Sequence, residues 1–306
     1  MKNISVIMSA FKEPVELFTK SVKSIQNQTY SDFELIIVLD CPSNTDLKRA
    51  IELIAKEDTR IRPIWNEANI GLAMSLNKAL TIATGQYICR MDADDIALPN
   101  RIEQQLSYLV DNKLDLIGCY VKVIDEKGDE LFSVQNIPTE NKQLMKAIRW
   151  NNCIPHPTWF GKKEFFNLGY RNIPLCEDYD LILRASRNGM QMGNCPTVLV
   201  EYRMNNESVS RTNLYRQFLY QKYLTYCFSR QLTVEPNDAS AWVQSHFSEE
   251  KSKAYSCANS HFNQGLNHIR NNEFAQAVRS LIGIPIISKE YMSKVFRMIV
   301  STMHGL

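Results

Sequence analysis

Apolar and polar positions alternate along the first ninety or so residues in a regular way. Residues 3–9 form a short β-branched run. Behind Pro14, a residue suited to the first turn of a helix, Val15, Phe18, Val22 and Ile25 recur at helical spacing. Phe33 to Leu39 is nearly continuously apolar, which is the pattern of a strand covered on both faces in a parallel sheet. Pro42-Ser43-Asn44 supplies a turn and a cap before a helix carrying Leu47, Ile51 and Ile54. Ile61 to Trp65 predicts a third strand. Gly71 opens a helix running through Ala83, and Gly85 ends it. Gln86 to Met91 predicts a fourth strand that stops at a run of acids. The alternation implies a βαβ series around a parallel sheet.

After the acids, Pro99 starts a helix with Ile102, Leu106, Leu109 and Val110 inward. Leu114–Ile124 and Glu130–Val134 predict strands joined by the turn Lys127-Gly128-Asp129. Residues 139–150, 162–168 and 178–188 predict helices, and Val198–Met204 a last strand. From about Arg211 strand signals thin out, and helical patterns run over 211–230, 249–270, 272–282 and 289–303. Residues 254–282 read as one helical hairpin turning at Arg270-Asn271-Asn272; it is tetratricopeptide-like, but one copy is not an array. The expected organisation is an α/β unit over 1–210, divided near residue 95, and a helical region over 211–306.

Composition narrows the class without changing this picture. A chain of 306 residues with 44% apolar and 22% charged residues is not a mainly disordered one. The net charge of +2 gives no basic field for duplex nucleic acid. The longest apolar run, 281–287, contains Gly and Pro and is far short of the ~20 residues of a spanning helix. Ile4–Phe11 is cut off by Lys12 and Glu13 and reads as a strand, not a signal peptide. Eight cysteines, no two within CxxC reach, exclude zinc knuckles and thioredoxin-type chemistry. Cys89 and Cys119 lie in apolar strand runs, so a reducing compartment, the cytoplasm, is expected.

Candidate chemistry lies in two acidic segments. Met91-Asp92-Ala93-Asp94-Asp95 sits at the carboxyl end of a buried strand, where open α/β sheets bind ligands. Carboxylates at i and i+2 on a loop can approach one cation, and their hard oxygens suit Mg²⁺ or Mn²⁺ shared with phosphates. A solvated turn of helix-capping acids is the plainer reading, weakened by the buried strand before it and the helix after it. Glu177-Asp178 by itself reads as an acidic helix start favoured by the macrodipole. Neither GxGxxG nor GxxxxGK[ST] occurs, which excludes dinucleotide dehydrogenase and P-loop readings.

Five motifs in order give the chain a recognisable resemblance. They are Val6-Ile7-Met8-Ser9-Ala10-Phe11-Lys12-Glu13-Pro14; Val38-Leu39-Asp40-Cys41-Pro42-Ser43-Asn44; Asn69-Ile70-Gly71-Leu72 through Asn77-Lys78-Ala79-Leu80 to Gly85-Gln86-Tyr87-Ile88; the acids 91–95; and Cys176-Glu177-Asp178-Tyr179-Asp180-Leu181. The chain resembles the family 2 glycosyltransferases with the GT-A fold over residues 3 to about 211. That implies a Rossmann-like, mostly parallel sheet flanked by helices, with a nucleotide-binding half over 1–95 and an acceptor half over 96–210. It also implies nucleotide-sugar contacts from Ser9, Phe11, Glu13, Asp40, Asn69, Gly71, Asn77, Asp92, Ala93 and Arg211. Asp94 and Asp92 are implied as metal ligands, Asp178 as catalytic base, and His156 and Glu177 as acceptor-side residues. His156 stands between Pro155 and Pro157, so a stiff, exposed loop is expected there. Tyr202-Arg203 and Ser208-Val209-Ser210-Arg211 resemble the closing segment where a basic residue meets the diphosphate. Two departures stand out: relatives usually carry Asp-Asp-Gly-Ser where this chain has Asp40-Cys41-Pro42-Ser43, and often Arg where it has Leu76.

The resemblance implies an inverting, Mn²⁺- or Mg²⁺-dependent enzyme. It would move a hexose or N-acetylhexosamine from a UDP-sugar to a saccharide acceptor, undecaprenyl-diphosphate-linked, in O-antigen or capsule assembly. A nucleotidyltransferase acting on sugar phosphates would want a glycine-rich basic loop after the first strand, which Ser9-Ala10-Phe11-Lys12 is not. A non-catalytic nucleotide-sugar-binding module would be expected to lose the carboxylates, and both sets are intact. At the C-terminus, Met292, Val295, Phe296, Ile299, Val300 and Met303 share one helical face, with Arg279, Lys289, Lys294 and Arg297 against Glu290 nearby. Such an end either lies on the inner, anionic face of the cytoplasmic membrane or docks on the helical hairpin. No nucleic-acid partner is expected.

Overall fold

The computed structural model describes residues 3–205 and 209–305. Strand β1 (Ile4–Ala10) leads to α1 (Val15–Gln26), β2 (Phe33–Leu39), α2 (Thr45–Glu57), β3 (Ile61–Trp65), α3 (Leu72–Ile82) and β4 (Tyr87–Asp92). All seven positions of β2 are buried, so its run, apolar except for Glu34, reflects two covered faces. Strand β1 pairs in parallel with β2 and β4, and β2 with β3. That register sets Ser9 beside both Val38 and Asp92, so the carboxyl ends of three strands finish at one edge. Phe18, Val22 and Ile25 turn α1 onto the sheet, and Leu47 and Ile51 do the same for α2. Asn44 caps α2 by accepting from Leu47 N at 3.1 Å. Gly71 begins α3 at φ 84°, a conformation that strains any L residue.

The second half adds β5 (Ile96–Ala97), α4 (Arg101–Asp111), β6 (Leu116–Ile124), β7 (Glu130–Val134) and α5 (Asn141–Ala147). A 3₁₀ turn (His156–Thr158), β8 (Phe160–Lys162), α6 (Lys163–Phe166), α7 (Glu177–Arg187) and β9 (Met192–Arg203) follow. The sheet runs β3-β2-β1-β4-β8-β6-β9-β5, with β7 on the side of β6. Strand β8 is antiparallel to both β4 and β6, whereas β6 and β9 are parallel. Apolar cores lie on both faces, one built around Phe18, Phe33 and Ile102, the other around Leu76, Trp159 and Tyr179. Residues 162–168 are thus not one helix: Phe160–Lys162 is a strand and only Lys163–Phe166 is helical. Strand β9 starts six residues before Val198. Its register jumps between the pairs Cys119–Cys195 and Tyr120–Val198, so Pro196 and Thr197 bulge out and mask the strand pattern.

The remainder is helical: α8 (Val209–Thr212), α9 (Leu214–Ser229), α10 (Pro236–His246), α11 (Glu249–Arg270), α12 (Phe274–Ile282), α13 (Ile284–Ile287) and α14 (Lys289–Gly305). The helix expected over 211–230 is broken at Asn213, and α10 was not foreseen because it buries only Ala239 and Val243. The hairpin forms from α11 and α12, turning at Asn271-Asn272 with Asn272 at φ 60°. Helix α14 docks through Tyr291, which meets Tyr255 and Phe262, and through Ser301, which bonds Cys153 Sγ at 3.0 Å. Its apolar stripe is split: Val295 packs inward, while Phe296 stays 57% exposed, touching Trp150 edge-on. Among the described residues, no helix is long and apolar enough to cross a membrane.

Candidate active site

Strand β4 delivers Asp92 to the edge where β1 ends. Arg90, two positions earlier and only 2% exposed, points the same way and ion-pairs with Asp92, Nη1 lying 2.7 Å from Oδ2. Asp94 is half-buried. Burial, then the charges of Asp92 and Glu13, push its carboxyl up to about 7. Glu13 is raised too, first by burial and also by Asp92, although it accepts from Phe11 N at 2.7 Å. Asp95 is fully buried and accepts from Arg203 N at 2.6 Å, while its Oδ2 has no partner among the described residues. Burial and the neighbouring Asp92 and Asp94 push it well above the carboxylate range, which makes it a neutral anchor. Arg203 donates to Asp94 O at 2.9 Å and to Asp125 O at 2.8 Å, pinning the acidic loop to the β6–β7 turn.

The charge of Asp92 thus acts on both Glu13 and Asp94, and that of Glu13 on Asp94, a cluster of carboxyl groups that a divalent cation would relieve. Their oxygens fit Mg²⁺ or Mn²⁺, with a ligand phosphate completing the shell. Among the described residues no group of three His, Cys, Asp or Glu side chains is already set in metal-holding geometry.

The remaining residues expected on the nucleotide side divide into exposed and internally bonded. Asn69 and Gly71 are exposed and Ser9 and Phe11 half-buried; Ala93 is buried in the acidic loop. Asp40 accepts from Asn66 Nδ2 (2.8 Å), Ile70 N (2.9 Å) and Gly71 N (2.8 Å), so it organises the 66–71 loop. Asn77 exchanges two hydrogen bonds with the backbone of Tyr170, donating to its O at 2.8 Å and accepting from its N at 2.9 Å. Arg211 donates to Met204 Sδ and lines a cleft in the helical region. Ser208, part of the same expected segment, lies outside the described residues.

Glu177 and Asp178 open α7 behind Cys176 at its N-cap and Leu175, held at φ 66°. Asp178 accepts from Tyr179 N at 2.6 Å through Oδ1 and from Asn152 Nδ2 at 2.7 Å through Oδ2. Burial pushes it up to about 6, against the pull of these bonds and of the Arg90 charge. Glu177 goes further, to about 8, because burial and the adjacent Asp178 act together. Asp180 is different: Arg171 and Arg184 grip it from both sides, Arg184 Nε at 2.9 Å, and it is buried as a structural ion pair.

Expected on an exposed loop, His156 is instead 9% exposed within the 3₁₀ turn. Its ring rests edge-on against Trp159, and Nε2 lies 2.9 Å from the Tyr170 hydroxyl. Burial and the Arg90 charge hold it well below its usual range, hence neutral. Arg90, Tyr170 and Asn152 were not singled out from the sequence. Arg90 was detectable as a charge inside an otherwise apolar strand; Asn152 and Tyr170 carry no local signal.

Residues 5–168 match the family described as Glycosyl transferase family 2. The chain belongs to that family. A relative from Methanocaldococcus jannaschii, an uncharacterised glycosyltransferase, is 35% identical over 72% of this chain and 77% of its own. The O-antigen biosynthesis glycosyltransferase WbnJ of Escherichia coli is 35% identical, covering 69% and 83%. A UDP-Gal:alpha-D-GlcNAc-diphosphoundecaprenol beta-1,3-galactosyltransferase of E. coli is 28% identical, covering 68% and 76%. The GT-A fold is shared with S. aureus TarS residues 1–349 in complex with UDP-GlcNAc, at TM-score 0.62 and 14% identity over 94% and 92%. It is also shared with a mannosyltransferase of Pyrobaculum calidifontis in complex with GDP-Man and Mn²⁺, at TM-score 0.58 and 12% identity over 92% and 87%. This chain is a family 2 glycosyltransferase with a GT-A fold, similar to enzymes of polysaccharide biosynthesis.

Proposed function

We propose that this glycosyltransferase moves a hexose or N-acetylhexosamine from a UDP-sugar to a saccharide carried on a lipid diphosphate, inverting the anomeric centre. The observation that carries the reading is the placing of Asp178. It is a carboxylate raised only to about 6, oriented by Asn152 and by Tyr179 N, and electrostatically linked through Arg90 to the acidic loop at Asp92. At neutral pH Asp178 is mostly ionised and accepts the proton of an acceptor hydroxyl, while Glu177 retains its own. The acceptor oxygen bonds to the anomeric carbon as the bond from that carbon to the diphosphate oxygen breaks on the opposite face. Asp94 and Asp92 would hold Mn²⁺ or Mg²⁺, which when bound neutralises the departing diphosphate. The loop organised by Asp40, with Ser9, Phe11, Asn69 and Gly71, would take the nucleotide.

Lipid-linked acceptors fit the outer surface of the helical region. Phe274, Val278, Ile282 and Ile286, four apart, are all exposed, as are Ile299 and Met303 of α14, with exposed Arg279 and Lys289 nearby. That combination suits peripheral attachment to an anionic membrane on the cytoplasmic side. The relative acting on a diphosphoundecaprenol-linked sugar supports the same acceptor class. The test is UDP release from a panel of UDP-sugars with Mn²⁺, with and without lipid-diphosphate saccharides. Turnover that depends on both partners is expected; turnover with nucleotide triphosphates and sugar phosphates instead would replace the reading with a nucleotidyltransferase.

A further inference from the structure

Helices α9, α11 and α14 enclose a cavity of about 440 Å³ whose walls include Arg211, Lys294, Asn259, Asn263 and Tyr291. A smaller pocket of about 60 Å³ shares Lys294 and is lined further by Arg297, Gln217 and Asn151. Arg211 and Lys294 thus line the larger cavity and Lys294 and Arg297 the smaller one, with Lys294 common to both. Among the described residues none of the three is ion-paired to a carboxylate. Lys294 lies over the rings of Tyr255 and Tyr291, and Arg297 donates to Thr225 Oγ1 at 3.0 Å. Burial and the Arg211 charge push the Lys294 amine down to about 8, and burial lowers Arg297 as well. Like charges held together with neutral amide donors are stabilised by an anion that bridges them, and phosphate oxygens match guanidinium and ammonium donors.

The recess also adjoins the proposed base. Asn151 lines it, and the next residue, Asn152, donates to Asp178. Gln217 donates to Leu175 O at 3.1 Å, two residues before Glu177. Arg297 bears on Tyr179, the neighbour of Asp178. Met298, which also lines the recess, is itself exposed and belongs to α14, which carries the exposed Phe296, Ile299 and Met303. We propose that Arg211, Lys294 and Arg297 form a phosphate-binding cleft that holds the diphosphate of a lipid-linked acceptor. The sugar would be directed towards Asp178 and the lipid along α14. This rests on the acceptor class proposed above and gives the C-terminal helices a binding rather than a chemical role.

Binding of farnesyl diphosphate to the full chain, measured by calorimetry in excess chelator, tests the cleft apart from turnover. The double variant Lys294→Gln/Arg211→Gln should bind ~10-fold or more weakly, Lys294→Arg should bind as wild type, and Asp94→Asn should leave binding intact. Loss in Asp94→Asn with retention in the double variant would place the diphosphate in the donor site and overturn the proposal. Equal binding of inorganic phosphate would make the cleft a free-phosphate site, and equal binding of phosphatidylglycerol vesicles a headgroup site; either overturns the acceptor assignment. Circular dichroism of the double variant confirms folding. Farnesyl diphosphate binding that follows these variants in a protein inactive with every UDP-sugar would sink the proposed function and leave the cleft standing. UDP release on lipid-diphosphate acceptors with no such binding would do the reverse.

Discussion

Asn152 and Asp178, 26 residues apart, meet through a 2.7 Å hydrogen bond that fixes one oxygen of the carboxylate while Tyr179 N fixes the other. The pair joins the loop before β8 to the start of α7. It leaves Asp178 oriented, partly desolvated and still mostly ionised at neutral pH. Asp178→Asn keeps the shape and removes the proton acceptor, so kcat should fall ~10²–10⁴-fold while UDP binding survives. Single-turnover kinetics with titrated UDP would check this; near-normal kcat would move the base to Glu177, since Asp180 is bound by two arginines.

The same bond sets the pH dependence. A base must be deprotonated, so the rate should drop as pH falls through about 6. Asn152 donates to the ionised form and therefore lowers this carboxyl. Asn152→Ala should raise it and move the acid limb of the kcat profile to higher pH. An unshifted limb would mean that the profile reports another group.

Asp94 should be needed for metal-dependent turnover. Its carboxyl is raised to about 7 in the absence of a cation, so cation affinity should weaken as pH drops through that value. Asp94→Ala should abolish UDP release and weaken UDP binding, and chelator should do the same to wild type. Full activity in excess chelator would remove the metal from the mechanism.

Which of these features could be read from the chain depended on how local their cause is. Strands β1, β2 and β4 announce themselves because burial on both faces leaves a mostly apolar run. Strand β5 is two residues long and leaves no pattern, and Pro196 hides the first half of β9. Within Glu177-Asp178-Tyr179-Asp180, spacing alone cannot separate a base from a structural acid. The separation comes from Arg171 and Asn152, brought in by tertiary structure. Flanking prolines suggested a stiff, exposed loop at His156, but Trp159 and Tyr170 cover the ring. Lys294 and Arg297 resembled ordinary surface cations on an amphipathic helix, and only the packing of α14 against α9 and α11 encloses them.

Asn77 should matter for stability as well as for shape. It clamps the backbone of Tyr170, 93 residues further on, through two hydrogen bonds. Asn77→Ala would leave a buried amide N–H and a carbonyl without those partners, at about 1–3 kcal/mol. A lowered denaturation midpoint with unchanged m-value is the expected outcome. Retained stability would show that water replaces the clamp.

At the opposite end of the sheet, Glu34 on β2 accepts from Ser5, Thr84 and Arg62, which together hold its carboxyl down to about 2 against the usual 4.5. The lowered value means that the folded state prefers the ionised form. The associated stability is fully present above the unfolded value near 4.5 and is lost as pH falls towards 2. Glu34→Gln should therefore destabilise at pH 7 and flatten the acid limb of stability between those values. Chemical denaturation at several pH values would show it, and an unchanged acid limb would assign acid sensitivity to other carboxylates.

The helical region offers the clearest separation between attachment and packing. Ile286 is 90% exposed and, with Phe274, Val278 and Ile282, forms an apolar face that nothing in the fold covers among the described residues. Because Ile286 supports no core, Ile286→Asp should leave the folding midpoint unchanged and weaken binding to phosphatidylglycerol vesicles. Arg279 and Lys289 are exposed beside this face, and each basic residue near an anionic surface contributes about 1 kcal/mol, screened by salt. Attachment should thus be modest, strongest at low salt, and reduced in an Arg279→Ala/Lys289→Ala variant. Phe296 behaves differently, since its edge contact with Trp150 makes Phe296→Ala a test of packing as well. Liposome flotation of these variants, run beside their melting curves, distinguishes the two contributions. If wild type does not float with anionic vesicles at low salt, the membrane reading fails, and the exposed face must serve another partner.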